Sequence, residues 1–160
     1  MSARQKHGVV IDVLVQSPRW EKRPSAKAVV RRAILAAAEA LSRRDGELAV
    51  LLTNDASLRK LNREWRGIDK PTNVLSFPNP VPKADMLGDI AIAYETLARE
   101  CRSERKEFTH HLAHLAIHGF LHLMGYDHQS DSDAEAMEKL ERDVLARLKI
   151  PDPYLAHDGT

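Results

Sequence analysis

The segment HGFLHLMGYDH (residues 118–128) sets His118, His122 and His128 in a HxxxHxxGxxH spacing inside a largely apolar stretch. On a helix, residues four apart share a face, with a rise of about 6 Å between them, so His118 and His122 project together. Gly125 can take the left-handed conformation that ends a helix and reverses the chain, which lets His128 return to the same point. A lone histidine is more often a surface group or a satisfied core group. Three polar rings on a buried segment without a shared partner would each cost on the order of 1 to 3 kcal/mol, and a common metal ion removes that cost. Three neutral imidazoles leave a fourth position open, as in catalytic rather than structural zinc sites.

The same spacing occurs in the metzincin peptidases, whose HExxHxxGxxH motif carries a glutamate general base directly after the first histidine. Here that place is Gly119. Without the carboxylate a peptidase loses a group whose contribution is typically about 10²- to 10⁴-fold. Glu107, eleven residues before His118, would lie about 16 Å away along a continuous helix and cannot substitute. A peptidase or other metallohydrolase therefore stands as the alternative reading, not the first.

A chain of 160 residues with 43% hydrophobic and 29% charged residues fits one globular domain over residues 1–160. No apolar run approaches the roughly 20 residues that span a bilayer, and the start lacks a signal-peptide pattern, so a cytoplasmic protein is expected. Cys101 is the single cysteine, which fits a reducing compartment and a small buried hydrophobe. Net charge is only +1, but it is unevenly spread. Residues 19–44 hold eight basic side chains against two acidic ones, residues 59–70 add Arg59, Lys60, Arg63, Arg66 and Lys70, and residues 127–143 are acidic. The basic runs are either solvated helix faces or a phosphate-binding surface.

Hydrophobic periodicity predicts strands over residues 8–15, 47–53, 74–77 and 87–93, with a proline-rich connection at 78–82 that cannot be a central strand. Helices are expected over residues 26–41, 55–65, from 94, over 103–124 and over 131–148, with loose ends at 1–7 and 151–160. The order implies an α+β fold of α/β-like character. It is a single domain with a mixed sheet of about four strands covered by helices, the helix bearing HxxxH being central. His110 and His114 extend the histidine row upstream. His114 and Asp89 are candidates for hydrogen-bonding a metal ligand or shaping the site from behind it, with ordinary core or strand-end roles as the plainer reading. Trp20 and Trp65 could stack on unpaired bases, although core packing is the commoner role for both.

Three blocks taken together, LNREWRGIDKPTNVLSFP (61–78), LGDIAIA (87–93) and HGFLHLMGYDH (118–128), closely resemble the signature segments of the YbeY family of bacterial endoribonucleases and ribosome-maturation factors. The resemblance implies a zinc-dependent endoribonuclease specific for single-stranded RNA, acting in 16S rRNA 3′-end maturation and ribosome quality control in the cytoplasm. It implies one zinc per chain on His118, His122 and His128. Its partners would be ribosomal RNA, the small ribosomal subunit and assembly factors, with no membrane and no DNA. The family's functional arginine falls on Arg66 in WRGIDKPT, where Trp65 replaces the more usual tyrosine. A guanidinium fork matches phosphate oxygens, on which RNA cleavage builds charge, so Arg66 and His118 are the candidate catalytic residues. For Arg66 alone, a structural ion pair with Asp69 or a neighbouring carboxylate is the competing role.

Two attacking groups remain open: zinc-activated water, or the RNA's own 2′-hydroxyl, which would leave a 2′,3′-cyclic phosphate and which DNA lacks. A ribosome-assembly or RNA-binding factor with a structural zinc is the alternative outside enzymology.

Overall fold

The computed structural model describes residues 8–83 and 85–155. Its centre is a four-stranded sheet in the order β1-β2-β4-β3, made of β1 (Val10–Val15), β2 (Glu47–Thr53), β3 (Val74–Lys83) and β4 (Met86–Ala93). β1 and β4 run parallel to β2, while β3 lies antiparallel to β4 at the edge. Parallel neighbours require a crossover helix, which α1 (Ala26–Ala40) and α2 (Asp55–Arg66) supply. The expected four-strand mixed sheet is present.

Alternation along the strands divides the sheet into two faces. Ile90 and Ile92 of β4, with Ile11, Val13, Leu48, Val50 and Leu52, join the main core, which α1 covers with Val30, Ala33, Ile34 and Ala37 at helical spacing. α4 (Phe108–Leu123) lies within this layer and buries most of its length, from Phe108 through Leu112, Ala116 and Phe120 to Leu123. α5 (Asp131–Arg147) adds Met137, Val144 and Leu145 from outside. The histidine-bearing helix is central, as its almost continuous apolar sequence requires. On the other face a small cluster of Leu58, Leu75, Ala91 and Ala93 seats α2.

Local signals fix most boundaries. Asn54 caps α2 by accepting from Ser57 N at 2.9 Å, and Gly67 ends it at φ 72°, a left-handed conformation that costs glycine little. Ser130 caps α5 by accepting from Asp133 N at 3.1 Å. Three boundaries differ from expectation. The helix expected over 103–124 starts later: α3 (Tyr94–Glu104), the helix expected from 94, runs on to Glu104 and stops at Arg105, which is left-handed at φ 56°, so α4 begins at Phe108. β3 continues beyond Phe77 through the prolines, which an edge position allows because the missing N–H groups leave no central ladder bond unmade. The 3-10 turn Pro18–Lys22, capped by Ser17, has no counterpart in the periodicity.

The C-terminal segment also differs. Residues 1–7 and 156–160, part of the expected loose ends, lie outside the described residues. Residues 151–155 are not a free end, because Tyr154 reaches Glu141 and His114. Among the described residues no helix is long and apolar enough to cross a membrane. Cys101 is buried as expected, and burial together with nearby Glu100 pushes its thiol up to about 11.

Candidate metal centre

α4 ends in two bonds that satisfy its last carbonyls: Gly125 N donates to His122 O and Tyr126 N to Leu121 O, both at 3.0 Å. Gly125 makes the reversal with φ +97°, the Schellman arrangement that glycine favours. The chain returns through Asp127, whose Oδ1 accepts from His128 N at 2.7 Å. His118 and His122 therefore project from one face of α4, and His128 closes on them from the turn.

The result is a converging donor set. Ligand nitrogens of His118, His122 and His128 all lie within 4.8 Å of one another. The Nε2 atoms of His118 and His122 are 3.1 Å apart, close to the spacing of two nitrogens each about 2.0 to 2.1 Å from one tetrahedral zinc. Burial, then the neighbouring charges of His118 and His128, lower the pKa of His122, favouring the neutral ring that metal ligation needs. The residues thus fit a metal ion in number, donor type and convergence.

Behind the triad stands a residue the sequence did not single out. The Glu141 side chain, on α5, is 0% exposed. Its Oε2 accepts from His118 Nδ1 at 2.5 Å, while Oε1 accepts from His114 Nε2 at 3.0 Å and from the Tyr154 hydroxyl. Burial alone would raise the Glu141 carboxyl, but the bonds from His114 and His118, the charge of His114 and the bond from Tyr154 outweigh it and hold it at about 2. Burial and the Glu141 contact push the Tyr154 hydroxyl far upward. His114 shares Glu141 with His118 and stands edge-on to the His118 ring, with centroids 6.4 Å apart. His111 turns away to pair with Glu100 at 2.8 Å, and His110 lies 3.7 Å from Glu107.

Similarity to known proteins identifies the setting of this cluster. Residues 16–149 match the family model described as Endoribonuclease YbeY. The chain belongs to the YbeY family. YbeY endoribonucleases of Bradyrhizobium diazoefficiens and Nitrobacter winogradskyi are 55% and 56% identical to it, covering 93% and 91% of this chain and 87% and 82% of theirs. The solution structure of TM1509 from Thermotoga maritima shares the fold at a TM-score of 0.55 and 24% identity, over 94% of this chain and 99% of that one.

The YbeY signature segment at residues 61–78 falls elsewhere on the sheet. Trp65 and Arg66, at the end of α2, line a groove of about 1050 Å³ with Asp12, Ala49, Phe77 and Asp89. Ile90 and Ser76 face α4, so alternation puts Asp89 and Phe77 on the opposite face. The structure does not bring Asp89 beside the histidines. Ser76 of the edge strand links the two regions: it lines the groove, and its hydroxyl donates to Gly119 O at 3.0 Å, next to His118.

Asp69 is engaged by Arg59 at 2.7 Å and approached by Arg63 at 4.0 Å. Among the described residues no ion pair holds Arg66, so the alternative of an Arg66–Asp69 pair does not apply. Trp65 is 69% exposed and tilts over Phe77 with ring centroids 5.8 Å apart, whereas Trp20 is 3% exposed and donates to Thr53 O. Of the two candidate stacking residues, only Trp65 is accessible.

Proposed function

We infer that this protein is a zinc-dependent endoribonuclease acting on single-stranded RNA in the cytoplasm, and that its work is 16S rRNA 3′-end maturation and ribosome quality control on the small subunit with assembly factors. One observation carries the reading: three imidazoles converge on one point in a chain of the YbeY endoribonuclease family. His118, His122 and His128 would hold one zinc ion. When bound, zinc supplies a Lewis acid for a phosphoryl oxygen and lowers the pKa of water.

The remaining chemistry belongs to the chain. His118 Nε2 faces His122 Nε2 at 3.1 Å, while its Nδ1 lies 2.5 Å from Glu141 Oε2. Arg66 is assigned the role of holding a phosphate of the bound strand, since it lines the groove and no ion pair among the described residues holds it. Trp65, exposed beside it, offers a face on which an unpaired base can stack, worth about 1 to 3 kcal/mol per base. A duplex hides its bases in the stack, which favours a single-stranded substrate. Gly119, packed against the sheet, carries no general base for peptide hydrolysis.

Metal analysis of the pure protein, joined to cleavage assays on single-stranded and duplex RNA, tests the proposal with wild type, Arg66→Ala and His118→Ala. Wild type should carry about one zinc per chain and cut single strands. Metal-free protein that still cuts would overturn the catalytic-zinc assignment. Product ends report the attacking oxygen, a 2′,3′-cyclic phosphate marking the 2′-hydroxyl.

A further inference from the structure

A fully buried carboxylate is tolerated only where its charge is paired and its lone pairs are used. Glu141 meets that condition with donors from three places in the chain: His118 and His114 on α4, and Tyr154 beyond the end of α5. An ionised carboxylate only accepts hydrogen bonds. His118 must therefore carry its proton on Nδ1, and the lone pair of Nε2 faces His122 Nε2 at 3.1 Å. The same carboxylate fixes the ring's tautomer and its orientation.

Tyr154 closes the arrangement. Its ring stands edge-on against His114, with centroids 5.5 Å apart at 86°, and its hydroxyl is directed at Glu141 Oε1. Asp152 accepts from Tyr154 N at 2.8 Å and lies 3.6 Å from Arg142 on α5, so the turn that delivers the tyrosine is itself tied down.

We propose that Glu141 is a positioning residue for the metal centre, setting His118 as an Nε2 ligand, and that the C-terminal segment through Tyr154 belongs to that centre by orienting the Glu141 carboxylate. The proposal rests on the metal reading of the three histidines. A carboxylate behind a ligating imidazole orients the ring and raises its basicity, and losing it typically costs about 10- to 100-fold in metal affinity. A carboxylate that merely stabilised the interface of α4 and α5 would change unfolding but leave tautomer and affinity alone.

The test uses the full chain. Zinc affinity is measured by competition with a chromophoric chelator for wild type, Glu141→Gln, Tyr154→Phe and His128→Ala. The tautomer of His118 is read from long-range ¹⁵N–¹H correlations in metal-free protein. Wild type should show a protonated Nδ1 and a bare Nε2. Glu141→Gln should bind zinc about 10- to 100-fold more weakly, with the two nitrogen shifts moving toward each other. Tyr154→Phe, which removes one hydroxyl, should lose affinity by a smaller factor while keeping its fold, and it carries the test alone if Glu141→Gln fails to fold. Folded Glu141→Gln with wild-type affinity and tautomer, or Tyr154→Phe with wild-type affinity, would overturn the corresponding part of the proposal. Wild type that binds zinc no better than His128→Ala would instead overturn the metal reading itself.

Discussion

Gly119 of α4 is pressed against Ile90 of β4: a Cβ at residue 119 would lie 2.9 Å from Ile90 Cγ2 and 3.2 Å from Ser76 Oγ. The position that bears the general base in metzincins is thus turned toward the sheet and has no room for a side chain. Helix propensity favours alanine over glycine by about 1 kcal/mol, but overpacking costs about 1 to 3 kcal/mol. Gly119→Ala should therefore destabilise by up to about 2 kcal/mol in denaturant unfolding. Gly119→Glu should be far worse and should gain no peptidase activity, because its carboxylate would enter the core. A stable, peptide-cleaving Gly119→Glu protein would contradict this packing.

Zinc binding should appear as stability. A ligand that binds only the folded chain adds about 2.7 kcal/mol at one hundred times its dissociation constant. Thermal unfolding of metal-stripped protein should shift upward with added zinc, and the shift should be lost in His122→Ala and His128→Ala. An equal shift in all three proteins would place the ion elsewhere.

Arg66 should matter for RNA and little for folding, since no ion pair among the described residues holds it. A hydrogen bond to a charged group is worth about 1.5 to 3 kcal/mol. Arg66→Ala should lower kcat/KM on single-stranded RNA by about 10- to 100-fold, with KM carrying the larger share because the residue lies on the groove face. Loss of kcat with unchanged KM would instead put Arg66 at the reacting phosphate. Arg59→Ala, which removes a solvent-exposed pair with Asp69, should leave the denaturant midpoint nearly unchanged.

Acid should loosen the join between α3, α4 and the loop before β3. Burial would raise the Glu100 carboxyl, but bonds from His111 and Asn73 outweigh it and lower its pKa from 4.5. A carboxyl lowered on folding adds stability that is present above its unfolded value and is lost as pH falls through the folded value. Wild type should lose stability below about pH 4.5, and Glu100→Gln should lose less over the same interval. Matching pH profiles by thermal unfolding would remove this contribution.

Cys101, with its thiol pushed up to about 11, should resist thiol reagents at pH 8 until the chain is unfolded. Fast native labelling would show that α3 opens readily.

The amino-acid sequence alone determined which nitrogens meet. Helical periodicity puts His118 and His122 on one face, and a glycine three residues later permits the reversal that brings His128 back, so the triad follows from local geometry. The same locality placed the strand cores and the starts of α2 and α5. Only the tertiary structure decided what stands behind the triad. Glu141 lies 23 residues from His118 in an acidic run that reads as a solvated surface, and Tyr154 lies in what reads as a loose tail. Nothing in either spacing marks them, because their partners are set by how α5 crosses α4 and where the chain turns afterwards. The way α2 crosses the sheet brought Arg66 to the groove that Asp89 of β4 lines, and packing buried Trp20 while leaving Trp65 exposed. Periodicity fixes a residue's face on its own element; which element that face meets depends on packing between segments distant in the chain.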